Sequence, residues 1–370
     1  MKRPNRRWPG ASLGLILLFP LAASEDGFGP SSGDRSARWP KAVFRVLKGK
    51  LLLPFIEDFD VDRIHVREPF EVILLCGGEY GDINEPVPKS LRDAFLKATP
   101  PKSIANRELI QAESITKEYD FFESYPDILI FETDLAQIVD LIILFCESEG
   151  SLAELGAFAV MEETLKRLFV VIREKHWKNA SFVRLGPLKR IENEVDRSAI
   201  QVIADADVGL EERSAAKVDK HKLIELLDGP LERRLSVDRE STTFDPARAG
   251  HVIKLIVGLV QEYGALTLAE ISLLLEKFEA PRDEKQIKGY LRCAMVVGWL
   301  TVISKGSDDY YVQTLSSLAK GVDAATLPMK DGSKETSKPR RRAFIREYWK
   351  EKDKIRFAAI QQSARSLASV

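Results

Sequence analysis

Residues 146–158 read Cys146-Glu147-Ser148-Glu149-Gly150-Ser151-Leu152-Ala153-Glu154-Leu155-Gly156-Ala157-Phe158, directly behind the run Asp140-Leu-Ile-Ile-Leu-Phe145. A short, continuous apolar run bounded by turn residues is the pattern of a strand buried on both faces of a parallel sheet. The small residues after it predict a turn, and the turn delivers Glu154 to the first turn of a helix. Strand, small-residue turn and helix is the arrangement in which open α/β sheets gather ligands at strand carboxyl ends, where helix amides can hold phosphate or ribose oxygens. Gly156 and Ala157 are small enough to let a ligand approach. A glutamate in a first helical turn also complements the helix dipole with no further role, so neighbouring segments have to decide.

Upstream, Glu71-Val-Ile-Leu-Leu-Cys76 predicts a second buried strand running into Gly77-Gly78, followed by a helix around Ser90–Ala98. Glu108-Leu-Ile-Gln111 predicts another strand, and Leu168-Phe-Val-Val-Ile172 a further one after the Glu154 helix, which is expected to run to about Lys166. Ile128-Leu-Ile-Phe131 has strand propensity. Phe131, Leu135, Ile138 and Val139 nevertheless fall on one helical face, and the helix is preferred. Strands alternating with helices predict an α/β fold with a doubly wound parallel sheet.

The motifs Ile73-Leu-Leu-Cys-Gly-Gly78, Asp140–Phe145, Glu147-Ser148 with Gly150-Ser151, Glu154-Leu-Gly-Ala-Phe158, and Ser181-Phe182 with Leu185-Gly-Pro187 resemble, in order and spacing, the type II-A retron effectors. These are toxins with a nucleoside deoxyribosyltransferase-like domain that accompany a reverse transcriptase and its branched RNA–DNA. The resemblance covers residues from about 70 to 190. It implies an N-glycosidase site with Glu154 as the nucleophile, which agrees with the chemistry of a carboxylate set against an anomeric carbon. It also implies a nucleotide or NAD as substrate rather than cofactor, a cytoplasmic setting and no membrane. Homo-oligomerisation is expected.

Glu113, Glu132 and Asp140, acidic groups near the ends of predicted elements, are candidates for orienting sugar hydroxyls or protonating the leaving base; Asp140 also suits a plain strand opening. Cys76, Gly77 and Gly78 are expected to shape the pocket floor. Glu147, Ser148, Gly150 and Ser151 complete the predicted substrate-binding set. Two departures from the family pattern stand out. Cys146 and Glu149 replace prolines that often flank the Glu-Ser pair, making the loop more negative. Arg184 stands where an amide is common, and could hold a phosphate or a carboxylate.

The second half differs in kind. Val252–Tyr263 predicts an amphipathic helix stopped at Gly264, Thr267-Leu-Ala-Glu270 a capping box opening a second helix, and Glu284–Val297 a third. Residues 298–303 and 310–312 flank a turn and predict a hairpin. Three helices and a hairpin describe a winged helix. Lys285, Lys288, Arg292 and Lys305 would be its nucleic-acid contacts, although so few cations also suit any solvated helix face. Arg340, Arg341 and Arg342 open a basic tail interleaved with aromatics, a composition suited to phosphates and unpaired bases and nearly as well to an amphipathic helix docking on another subunit. The expected layout is a signal-like or unstructured extension over 1–40, a catalytic domain over 68–192, a helical connector over 193–250, a winged helix over 251–316 and the basic-aromatic tail over 338–370.

A net charge of −1 over 370 residues excludes a protein that coats nucleic acid indiscriminately. Three cysteines without metal-like spacing suggest free thiols in a reducing compartment, and four scattered histidines offer no metal cluster. Lys2, Arg3, Arg6 and Arg7 before Leu13–Phe19 resemble a signal peptide, but Pro20 interrupts the apolar segment, and a non-structural extension is favoured over secretion. Two other functions fit the same residues: a nucleoside monophosphate phosphoribohydrolase, and a DNA-binding regulator whose sheet domain senses a nucleotide without turning it over.

Overall fold

The computed structural model describes residues 53–111, 121–212, 214–236 and 241–365. The expected 1–40 extension and Glu113 lie outside these residues.

The described chain opens with the short strand β1 (His65–Val66) and the first core strand β2 (Val72–Gly77). Helix α1 (Leu91–Leu96), strand β3 (Glu108–Ile110) and helices α2 (Phe121–Ser124) and α3 (Ile128–Ala136) follow. Next come β4 (Leu141–Cys146), α4 (Glu149–Val160), α5 (Glu162–Leu165) and β5 (Leu168–Arg173). Strands β2 to β5 join a fifth, β6 (Ile200–Ile203), in one parallel sheet of order β3-β2-β4-β5-β6. The chain leaves β2 toward β3 on one side and returns to β4 on the other. The switch point of the sheet therefore lies at the carboxyl ends of β2 and β4, where a crevice must open.

β4 and β5 are buried at every residue, which explains why they read as unbroken apolar runs rather than alternating ones. Alternate residues Ile73, Leu75, Leu141, Ile143, Phe145, Phe169 and Val171 form one core with Leu91, Ala94 and Phe95 of α1 and with Leu223, Leu227 and Leu231 of α7 (Lys220–Leu235). On the other face α4 packs against β2 and β4, and α6 (Pro187–Glu194) packs against α4 and β6. The α/β layer thus extends past residue 192. Where a helical connector is expected over 193–250, the chain adds the edge strand β6 and the core helix α7. Ile128–Ala136 is helical, as its apolar face predicts, with Asp127 as N-cap.

The strand β7 (Thr242–Thr243) leads into a second, mostly helical part. It contains α8 (Ala249–Tyr263), β8 (Ala265–Leu266), α9 (Leu268–Lys277), α10 (Glu284–Val296) and the strands β9 (Leu300–Lys305) and β10 (Asp308–Gln313). β8, β10 and β9 form an antiparallel sheet. The Thr267–Glu270 capping box forms as expected, each side chain bonding the other's backbone amide. The strand β11 (Ala325–Thr326) pairs with β1, whose other edge takes β7, so one small antiparallel sheet stitches three distant stretches of chain together.

The C-terminal helices α11 (Lys338–Lys352) and α12 (Lys354–Arg365) are docked on this second part. Trp349 is fully buried and donates its indole N–H to the Tyr263 carbonyl at 2.9 Å. Arg356 bonds Glu270 at 2.5 Å and lies 4.0 Å over the Trp349 ring. Trp349 and Arg356 of the tail therefore serve an intramolecular contact, while Arg340, Phe344, Arg346 and Lys350 stay exposed.

Candidate functional site

Gly77 ends β2 at φ +100°, and a Cβ there would sit 2.1 Å from the Phe145 carbonyl oxygen of β4. Only glycine permits this close crossing. Gly78 is less constrained: a Cβ would lie 2.2 Å from Glu147 Oε1, the end of a side chain, with no positive φ. Its glutamate neighbour comes from the end of β4, so both glycines are fixed by the strand that leads to Glu154.

Glu147 crosses the switch point and accepts the amides of Leu91 at 2.8 Å and Arg92 at 2.9 Å, at the start of α1. Burial pushes its carboxyl up, opposed by those two amides. This carboxylate occupies the α1 amides that a ligand oxygen would otherwise use. Ser148 caps α4 and forms a reciprocal capping box with Ser151. Ser148 Oγ accepts the Ser151 amide at 3.2 Å, while Ser151 Oγ accepts the amides of Glu147 at 3.0 Å and Ser148 at 2.9 Å. Gly150 lies exposed between them.

Glu154 sits one turn further along α4 than the expected first turn, half-buried beside the end of β4. Burial pushes the Cys146 thiol up, and the carboxylates of Glu154 and Glu147 add to the effect. These two acids therefore meet around the last residue of β4. Cys76 is buried at the end of β2, and the space beside Gly156 is open. Cys76, Gly77, Gly78, Glu147, Ser148, Gly150, Ser151 and Glu154 thus gather at one end of the sheet. A cavity of about 230 Å³ opens beside three of them, lined by Gly78, Ser90, Glu147, Ser148 and Arg173 among others; Glu154 is not among its lining residues. Arg173 pairs with Asp205.

The other proposed acids fall elsewhere. Asp140 stands at the opposite, amino end of β4, 3.2 Å from Arg107, and lines a separate cavity of about 530 Å³. This is the structural opening of a strand. Glu132 is buried on α3. Among the described residues, no group of three or more His, Cys, Asp or Glu side chains could hold a metal ion.

Sequence reasoning passed over Arg92, which is fully buried. Its guanidinium donates to the carbonyls of Gly77 at 2.7 Å and Leu75 at 2.8 Å, tying the end of β2 to α1. One arginine within a short amphipathic helix carries no signal of such a role; only the adjacent Gly-Gly turn, whose carbonyls need donors, hints at it. Arg184 is engaged by Glu192 at 3.1 Å and by the Trp177 ring at 3.9 Å.

A family model for the STM3845 retron effector protein matches residues 88–302, more than half of the chain, from just before α1 into β9. The chain belongs to this retron effector family. Two curated relatives from Escherichia coli are similar to parts of it. The "Retron Ec73 putative ribosyltransferase/DNA-binding protein" is 32% identical over 143 residues, which cover 37% of this effector and 44% of the relative. The corresponding Retron Ec86 protein, bearing the same description, is 29% identical over 130 residues, covering 35% and 40%. The effector's matched stretch thus spans less than half the length of either relative.

The basic residues expected to meet nucleic acid separate into two groups in this effector. Lys285 and Lys288 are exposed on the first turns of α10, Lys288 pairing with Glu284 at 2.7 Å; Lys305 is half-buried at the hairpin, and Arg340 is exposed. Arg292 is buried. Arg341 and Arg342 bond the two oxygens of the buried Glu262 at 2.8 and 3.0 Å, so they fasten α11 to α8 instead of facing a phosphate. No helix among the described residues is long and apolar enough to cross a membrane.

Proposed function

We propose that this retron effector is an N-glycosidase that cleaves the bond between sugar and base in a nucleotide or in NAD, with Glu154 as nucleophile. The observation that carries this reading is the placement of Glu154 on α4, the helix that packs against β2 and β4, the two strands whose carboxyl ends form the switch point of the sheet. The relatives' description as ribosyltransferases supports the same class of chemistry. A Glu154 oxygen attacks the anomeric carbon as the carbon–nitrogen bond breaks. The base leaves with the bonding pair and takes up a proton, and water then releases the sugar from the glycosyl ester. Of the acids considered as proton donors, Glu132 belongs to the helix just before β4, whereas Asp140 is bound to Arg107 at the far end. The α/β layer is read as a nucleoside deoxyribosyltransferase-like fold.

The second part, with three helices and a β-hairpin, is read as a winged helix, and the DNA-binding element of the relatives' names agrees with this. Its partners on this reading are the retron reverse transcriptase and its branched RNA–DNA, which keep a cytoplasmic toxin inactive until phage defence is triggered. Of the expected contacts, Lys285, Lys288 and Arg340 are exposed and Lys305 is half-buried at the hairpin.

The test is chromatography of base release from nucleosides, nucleotides and NAD by purified wild type beside Glu154→Gln. The variant should lose about a hundredfold or more in kcat while still binding substrate. Equal release by both proteins removes Glu154 from the mechanism. Tight nucleotide binding with no turnover by either would favour the sensing regulator.

A further inference from the structure

The second part of the chain does more to α3 than abut it. The Tyr125 hydroxyl, just ahead of α3, lies 3.1 Å from Cys293 Sγ of α10 and 3.2 Å from Asp134 of α3, which accepts its proton. Gly289 of α10 makes room for the Tyr125 ring, since a Cβ there would lie 3.0 Å from it. Directly after α3, Gln137 Oε1 accepts the Gly250 amide of α8 at 3.0 Å, and a Cβ on Gly250 would sit 2.7 Å from Gln137 Cβ. The second part therefore holds both the segment that leads into α3 and the residue that ends it. It also reaches α5, where Arg248 lies 3.7 Å from Glu163.

These two helices bracket the one that carries Glu154. Thr133 of α3 contacts the sulfur of Met161 at 3.8 Å, and Met161 is the residue at which α4 stops and α5 begins. α10, meanwhile, is enclosed: Gly289 to Ala294 are buried without interruption, Arg292 included. From Gly289 to Ala294 the flank of α10 is therefore taken up inside the molecule, while its first turn, with Lys285 and Lys288, stays exposed.

We infer that the second part of the chain is a buttress for the Glu154 site: the buried half of α10 holds the segment that leads into α3, and α3 fixes the end of α4, setting the position of Glu154. Tyr125, Gly289, Gln137 and Gly250 are its positioning residues. The activity readout below rests on the glycosidase reading, whereas the exchange readout does not.

The experiment uses the full chain. Gly289→Leu places a side chain where the Tyr125 ring lies, and Trp349→Phe, which loosens the second part at Tyr263 and away from α3, is the control. Backbone amide exchange in Gly289→Leu should quicken about tenfold over residues 121–136 and also over 147–161. Its kcat should fall about fivefold or more with KM little changed, whereas the control should keep wild-type protection over both stretches. Loosening of 121–136 with wild-type protection over 147–161 would reduce the seam to ordinary packing and overturn the inference. The same quickening over 147–161 in the control would overturn it too, because the loss would then be general destabilisation. If Gly289→Leu does not fold, Gly289→Ala, whose added carbon alone presses on Tyr125, is read by the same criteria. Absence of base release by wild type would defeat the glycosidase reading and leave the exchange pattern to decide the buttress.

Discussion

Asp134 shows how a single buried acid records the cost of the seam it belongs to. Burial pushes its carboxyl up to about 6, although the Tyr125 hydrogen bond and Arg282 oppose the shift; Cys293 and Tyr290 of α10 complete its surroundings. A folded-state value above the unfolded one means that the neutral form is favoured. The associated stability is fully present below about pH 4 and is lost as pH rises through about 6. Asp134→Asn keeps a carbonyl for Tyr125 and removes the charge. The variant should match wild type near pH 4 and exceed it by on the order of 2–3 kcal/mol at pH 8, read from urea denaturation across that range. An advantage that does not grow with pH would contradict this. The same scale shows what can be read from residue types alone. Gly77 is legible because a tight crossing at a strand end demands glycine. The bond from Glu147 to α1 is not, because its partners lie more than fifty residues away in the chain.

At the scale of elements, burial on both faces makes β2, β4 and β5 readable, since unbroken apolar runs have few other uses. β6 escaped because its residues Ile200-Gln201-Val202-Ile203 are too few and too mixed to stand out at the edge of the sheet. The tail misled in the opposite sense. Cations beside aromatics suit nucleic acid and suit an acid-lined protein groove equally well, and only the buried partners Glu262 and Glu270 distinguish the two. Helix α4 offers a test of its own. Gly156 lies in its interior with no atom within 4 Å of an added Cβ. Gly156→Ala should therefore stabilise the protein by about 0.5–1 kcal/mol through helix propensity alone, measurable as a rise in Tm. If substrate packs against this opening, KM should rise in the same variant while stability improves; a fall in stability would mean that the space is not open.

Across the whole molecule, the α/β layer and the helical part share a buried charge cluster. Glu68, between β1 and β2, lies 2.8 Å from Lys254 of α8 and 3.0 Å from Arg167 ahead of β5. Burial opposes ionisation of Glu68, but Lys254 and then Arg167 outweigh it and hold the carboxyl at about 2. Lys254 is itself 3% exposed, so removing the carboxylate leaves a buried ammonium beside a guanidinium with no counter-charge. Breaking a buried pair in this way costs on the order of 3 kcal/mol. Because the folded-state value is depressed, the stability from Glu68 is present above about pH 4.5 and is lost as pH falls toward about 2. Glu68→Gln should accordingly unfold at clearly lower denaturant than wild type at pH 7, with the gap closing steadily between pH 4.5 and 2. The loss should also appear as faster amide exchange on both sides of the junction, in β5 and in α8 together, since one carboxylate serves both. Exchange that quickens in only one of them would mean that the cluster belongs to that part alone and does not bind the two into a unit.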